Sequence, residues 1–265
     1  MSDFSSIWNK VTKLLQEDSF TKRAVTASRV ALIEMANAIG PQMRLIHSST
    51  LEEINCLPRS SENHSVGAIE GIRRFGASIT EVFMVSHRWL NPSLDSISSH
   101  PDDNNNRKAL AINEFSKWRK KWVAETHGFT PEIFYWIDYC CVDQDNPTNE
   151  MAMLPLWVAC CERFLRIETK DYDERTWCRI EPILSHVFSF ADHETIINLD
   201  YNCNWPHTGK ETTRILLDPQ QGKLTNPQDM DIVLQLLDAT KNVKPMQKSK
   251  EKVALGKTEI KCFVL

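Results

Sequence analysis

Apolar positions recur with two different periods along this chain. Near its start, Phe4, Ile7, Trp8, Val11, Leu14 and Leu15 repeat at three- and four-residue spacing, which predicts a helix over residues 4–17 with one apolar face. A second helical stretch is predicted over 22–38 and is stopped by Gly40-Pro41, because glycine permits a left-handed cap and proline cannot continue a helix. Together the two predict an N-terminal helical hairpin. Residues 48–65 are rich in Ser, Asn and Glu, contain Pro58, and read as a connecting loop.

Beyond the loop the pattern changes to short continuous apolar runs. Residues 79–85 (ITEVFMV) end in polar Ser86, His87 and Arg88, as a buried parallel strand does when it delivers side chains at its carboxyl end. Residues 92–106 hold Pro92, Pro101 and three consecutive Asn and read as a loop; 107–125 return to helical spacing through Leu110, Ile112, Phe115, Trp118 and Trp122. A second strand, 134–137 (FYWI), runs into Asp138. A helix over 154–161 leads to a third strand at 164–167, and a helix carrying Trp177, Ile180, Ile183 and Leu184 leads to a fourth at 195–199. Alternating strands and helices predict a parallel sheet with crossover helices, whose ligands sit beyond the carboxyl ends of the strands. A polar loop at 202–228, a last helix at 230–237 and an unstructured tail from Lys241 complete the reading. The expected units are 1–65, helical segment and linker; 66–238, α/β domain; and 239–265, basic tail.

Composition narrows the function classes. The chain has 265 residues, 42% hydrophobic and 25% charged, enough to bury a core without disulfides or metals. A net charge of −4 provides no field that would gather a polyanion, so nucleic acid is not an expected partner. No leader pattern and no run of about 18 apolar residues is present. Eight cysteines without an export signal read as reduced thiols in a cytoplasmic setting. Cys140-Cys141 and Cys160-Cys161 are adjacent pairs, and no C-x-x-C spacing supplies zinc ligands, so no metal is expected.

The terminus carries a further signal. Cys262-Phe263-Val264-Leu265 matches C-a-a-X, whose terminal Leu directs geranylgeranylation by a prenyltransferase. One prenyl chain binds membranes weakly and a second signal is normally needed. Seven lysines (241, 244, 248, 250, 252, 257 and 261) against Glu251 and Glu259 leave a side-chain charge of +5, suited to an anionic leaflet. The expected location is the cytoplasmic face of a membrane, lipid-anchored through Cys262.

Residues 154–167 (LPLWVACCERFLRI) and 172–181 (YDERTWCRIE), with Trp177-Cys178 followed by Glu181, resemble Toll/interleukin-receptor (TIR) domains, which are flavodoxin-like α/β modules. Residues 134–146 (FYWIDYCCVDQDN) are also similar to fungal heterokaryon-incompatibility domains. The TIR resemblance implies that Glu181 is a catalytic residue cleaving NAD, as substrate, at the nicotinamide glycosidic bond. Ser86, His87, Arg88 and Trp89, expected beside Glu181 at the end of the first strand, together with Asp138 and Trp177, are the candidate substrate-binding residues, although Ser-His-Arg-Trp departs from the acidic loop of plant TIR domains. The chemistry is coherent: nicotinamide departure leaves positive charge on the ribose, and a nearby carboxylate stabilises it. Trp89 would stack on a ring and Arg88 would meet a phosphate.

Each of these residues also has a plain structural reading. Trp177 at helical spacing with Ile180 and Leu184 suits a core position, Glu181 before Pro182 suits an exposed helix face, His87-Arg88 suits a structural pair, and Asp138 suits a cap. Two function classes therefore stand side by side. One is a membrane-anchored NAD glycohydrolase; the other is a non-catalytic TIR-like signalling scaffold that self-associates through residues 142–149. A third reading makes one of Cys140, Cys141, Cys160 or Cys161 a nucleophile with His87 as base.

Overall fold

The computed structural model describes residues 2–16, 29–93, 98–188, 194–200, 212–241 and 259–262. Its centre is a six-stranded sheet. In chain order the strands are β1 (Arg44–His47), β2 (Val66–Gly67), β3 (Thr80–His87), β4 (Glu132–Trp136), β5 (Arg163–Glu168) and β6 (Glu194–Asn198). In space they lie β2-β1-β4-β3-β5-β6; β3 pairs in parallel with β4 and β5, β6 with β5, and β1 is antiparallel to β4 and β2. The architecture is thus α/β, a mostly parallel sheet flanked by helices.

The described helices are α1 (Ser2–Gln16), α2 (Arg29–Asn37), α3 (Ser48–Ile54), α4 (Ala68–Phe75), α5 (Arg107–His127), α6 (Asp138–Cys141), α7 (Thr148–Ala152), α8 (Leu154–Cys160), α9 (Thr176–Phe188) and α10 (Asp229–Lys241). Both α1 and α2 pack on α8, which explains the apolar stripe of α1: Ile7, Val11 and Leu15 are buried. The start of the helix expected over 22–38 lies outside the described residues.

Four expectations are corrected. Residues 48–65 are not a plain loop: α3 occupies their first turns, capped by His47, whose side chain accepts from the Ser49 amide. Just before it, β1 joins the main sheet, so the sheet crosses the expected boundary at residue 65. The segment 202–228 contains a strand, β7 (Thr212–Ile215), and the basic tail contains its partner, β8 (Glu259–Cys262), with Cys262 opposite Thr212. The β-branched Thr212, Thr213 and Ile215 favour extended backbone, which a reading based on polarity overlooks. The tail lysines from 244 to 257 and the residues after Cys262 lie outside the described residues.

The central strand explains the placement of the site. β3 is buried on both faces, as expected of a parallel strand covered by helices. Alternation sends Phe83 toward α5, where it meets Phe115 edge-on at 5.2 Å. On β4, Tyr135 bonds Ser116 of α5 at 2.7 Å, while its neighbour Trp136 packs on Trp157 of α8. β4 and β5 lie on opposite sides of β3, so the chain leaves β3 toward β4 and leaves β5 toward β6 in opposite directions. Such a switch point opens a crevice beyond the carboxyl ends of the strands.

Candidate functional site

A cleft of about 490 Å³ lies at that point, within the size range of small-molecule sites. Its lining includes His87 at the end of β3 and Arg88 and Trp89 after it, Asp138 after β4, Trp177 and Glu181 on α9, and Asn226 and Asp229 on the far wall. Six of the seven expected site residues therefore line one cavity. The seventh, Ser86, is fully buried and touches it through Glu181.

Alternation along β3 builds the two halves of the site. Ser86 and His87 are consecutive, so they point to opposite faces. Ser86 Oγ donates to Glu181 Oε2 at 2.5 Å and also bonds the Tyr172 hydroxyl. Behind Tyr172 the buried Arg166 guanidinium lies over the phenol ring, 5.2 Å from its centroid. Glu181 is 9% exposed, not on the solvent face of its helix. Burial, with a smaller push from the nearby Asp138, outweighs the Ser86 hydrogen bond and raises its pKa from 4.5 to about 8.

On the other face, His87 Nε2 lies 2.9 Å from Asp138 Oδ1, and Lys108 Nζ of α5 lies 3.2 Å from His87 Nδ1. A lysine ammonium only donates, so Nδ1 accepts and Nε2–H donates to Asp138; the imidazole is neutral. Burial and Lys108 together depress the His87 pKa, outweighing Asp138. Lys108 is itself fully buried, donates to the carbonyls of Arg88 and Pro101, and is lowered to about 8 by burial. Burial works against ionisation of Asp138, but His87, the Trp89 indole N–H at 2.8 Å and the Tyr139 amide at 2.7 Å outweigh it. Its pKa falls below the usual carboxylate value. Two carboxyl groups thus line one cleft with opposite protonation tendencies, the pattern that separates acid and base roles.

The far wall is pinned to α9. Trp177 Nε1 donates to Asp229 Oδ2 at 3.1 Å, and Asn226 Nδ2 donates to Asp229 Oδ1 at 3.0 Å. Thr176 N donates to the Lys223 carbonyl at 3.1 Å and Lys223 N to that of Glu174 at 2.7 Å. Gly222 makes this approach possible: a Cβ there would sit 2.5 Å from Thr176 N. Trp177 is accordingly a half-buried wall residue with a polar partner, not simply core. Trp89 packs edge-on against Tyr139 at 5.4 Å. Arg88 pairs with Asp171 at 2.8 Å, while its buried Nε has no hydrogen-bond partner among the described residues.

The structure speaks against a cysteine nucleophile. Cys140, Cys141, Cys160 and Cys161 are buried, and burial pushes every one of these thiols up, away from the reactive thiolate. Among the described residues no group of His, Cys, Asp or Glu is arranged to hold a metal ion, and no helix is long and apolar enough to cross a membrane.

Sequence reasoning missed Lys108, Tyr172, Asn226 and Asp229. Lys108 left one signal, a cation in the first turn of a helix, where the dipole disfavours it. Tyr172 sits in a run that reads as an acidic loop, and its hydroxyl meets Ser86 across 86 positions of chain. Set against known proteins, the chain matches no protein-family model, no characterised protein and no solved structure.

Proposed function

We propose that this chain is a TIR-like NAD glycohydrolase on a flavodoxin-like sheet, acting at the cytoplasmic face of a membrane. The observation that carries the reading is the burial of Glu181 in a cleft at the carboxyl end of β3, bonded to Ser86 at 2.5 Å. A nicotinamide riboside unit is cationic before cleavage and its ribose is cationic during it. Such a charge beside Glu181 draws the proton off a carboxyl poised at about 8 and is then stabilised by the carboxylate. Because a neutral glutamic acid ionises only as the cation arrives, its interaction favours the charged transition state over the empty site. Arg88 and Arg175 line the same cleft and suit the two phosphates.

The test is direct. Purified protein is incubated with NAD and nicotinamide release is followed, with Glu181→Ala alongside. The expected outcome is release by the parent and its loss in the variant. Equal release by both would dismiss Glu181, and release by neither would leave the self-associating signalling scaffold as the better reading.

The anchor rests on Cys262 and the lysines around it. In eukaryotic cells, Cys262→Ser is expected to move the protein from the membrane to the soluble fraction. A variant that still sediments with membranes as the parent does would remove the prenyl group from the proposal.

A further inference from the structure

Asp138 has an unusual set of bonds for a residue on a cleft wall. A carboxylate has about four acceptor positions, two on each oxygen. Oδ1 takes two donors, His87 Nε2 and the Tyr139 amide; Oδ2 takes one, the Trp89 indole N–H. One acceptor position on Oδ2 is therefore open among the described residues, on a side chain that is 30% exposed and lines the cleft. The group is rigidly held yet incompletely used. Its support is deep: His87 takes its orientation from Lys108, which is tied to two backbone carbonyls and so cannot swing away. A plain helix cap would need only the Tyr139 amide and no buried lysine behind a histidine.

Resting on the NAD reading of the cleft, we propose that Asp138 is the base of the reaction, accepting the attacking water's proton at Oδ2 while Glu181 steadies the ribosyl cation. The C1′–N bond breaks with its electron pair leaving on nicotinamide, which departs neutral. The water oxygen forms the new C1′–O bond. Its proton passes to Asp138 and then to solvent, so one proton is released per turnover. The two carboxyl groups approach from opposite faces of the sheet, Glu181 anchored by Ser86 and Asp138 by His87, which lets one meet the sugar and the other the acceptor.

The experiment uses Asp138→Ala and Asp138→Asn in the full chain, with NAD, in the presence and absence of sodium azide. Alanine leaves a space open to the cleft that solvent can fill, and folding of each variant is checked by tryptophan fluorescence and thermal melting. Hydrolysis is expected to fall by roughly 100-fold or more, the usual scale for a lost general base. Azide is an anionic nucleophile with no proton to lose. It is expected to restore nicotinamide release in the variants, forming ADP-ribosyl azide, while leaving the parent's rate unchanged.

A role limited to holding the fold predicts no azide adduct and no rescue. If a folded variant hydrolyses NAD at the parental rate, or if azide restores nothing, the assignment of Asp138 falls while the NAD reading stands. If the parent releases no nicotinamide, the NAD reading falls and takes this assignment with it.

Discussion

Replacing Glu181 by glutamine is expected to make the protein more stable, and increasingly so as pH rises. The folded protein holds this carboxyl at about 8 against 4.5 when unfolded. Between those values the folded state binds more protons than the unfolded state, so stability declines as pH rises through the window. The full shift corresponds to roughly 5 kcal/mol, of which about 4 kcal/mol develops between about pH 5 and about pH 9. Glutamine keeps the shape of the neutral acid and an acceptor for Ser86 without titrating. The difference between the two proteins therefore isolates this one group, since other titrations cancel. Urea denaturation at several pH values measures it, as does melting temperature, which moves about 2–4 °C per kcal/mol in a chain of this size. A difference that does not change with pH, or a variant that becomes relatively less stable in alkali, would refute both the buried neutral acid and the electrostatic argument for the site.

Other consequences can be checked alongside. Lys108→Met leaves the Arg88 and Pro101 carbonyls and His87 Nδ1 without their donor; a loss of roughly 2–5 kcal/mol is expected by denaturation, and a loss under ~0.5 would show that Lys108 is not structural. Gly222→Ala drives a Cβ into the Thr176 backbone, which cannot easily yield, so about 1–3 kcal/mol of stability should be lost, read as a lower melting temperature. Of Cys56, Cys140, Cys141, Cys160, Cys161 and Cys178, Cys56 is the one that is not buried, so in the native protein a mild thiol reagent should label it before the other five. Cys140, Cys141, Cys160, Cys161 and Cys178 should react only in urea, and rapid native labelling of any of them would contradict the packing.

The site was legible in part, and for identifiable reasons. A parallel strand covered on both faces tends to be a short, largely apolar run, so β3, β4 and β5 stand out in the residues alone, and the polar Ser86 and His87 at the end of β3 and Asp138 after β4 mark their carboxyl ends. The strand β1 did not stand out. Arg44–His47 has only two buried residues between polar ends, and its place in the sheet depends on pairing with β4 some ninety positions away. Glu181 came forward through its resemblance to a family motif; its burial did not, because a glutamate before a proline reads equally well as an exposed helix residue.

What the residues determined by themselves is the alternation of strands and helices, the end of the sheet where polar groups gather, and the identity of the two carboxylates there. Only tertiary structure decided which of them is neutral and which is charged. That depends on neighbours far away in the chain: Ser86 and Tyr172 around Glu181, His87, Trp89 and Lys108 around Asp138. Protonation is set by burial and by the donors that converge on a group, and a local sequence pattern carries neither quantity.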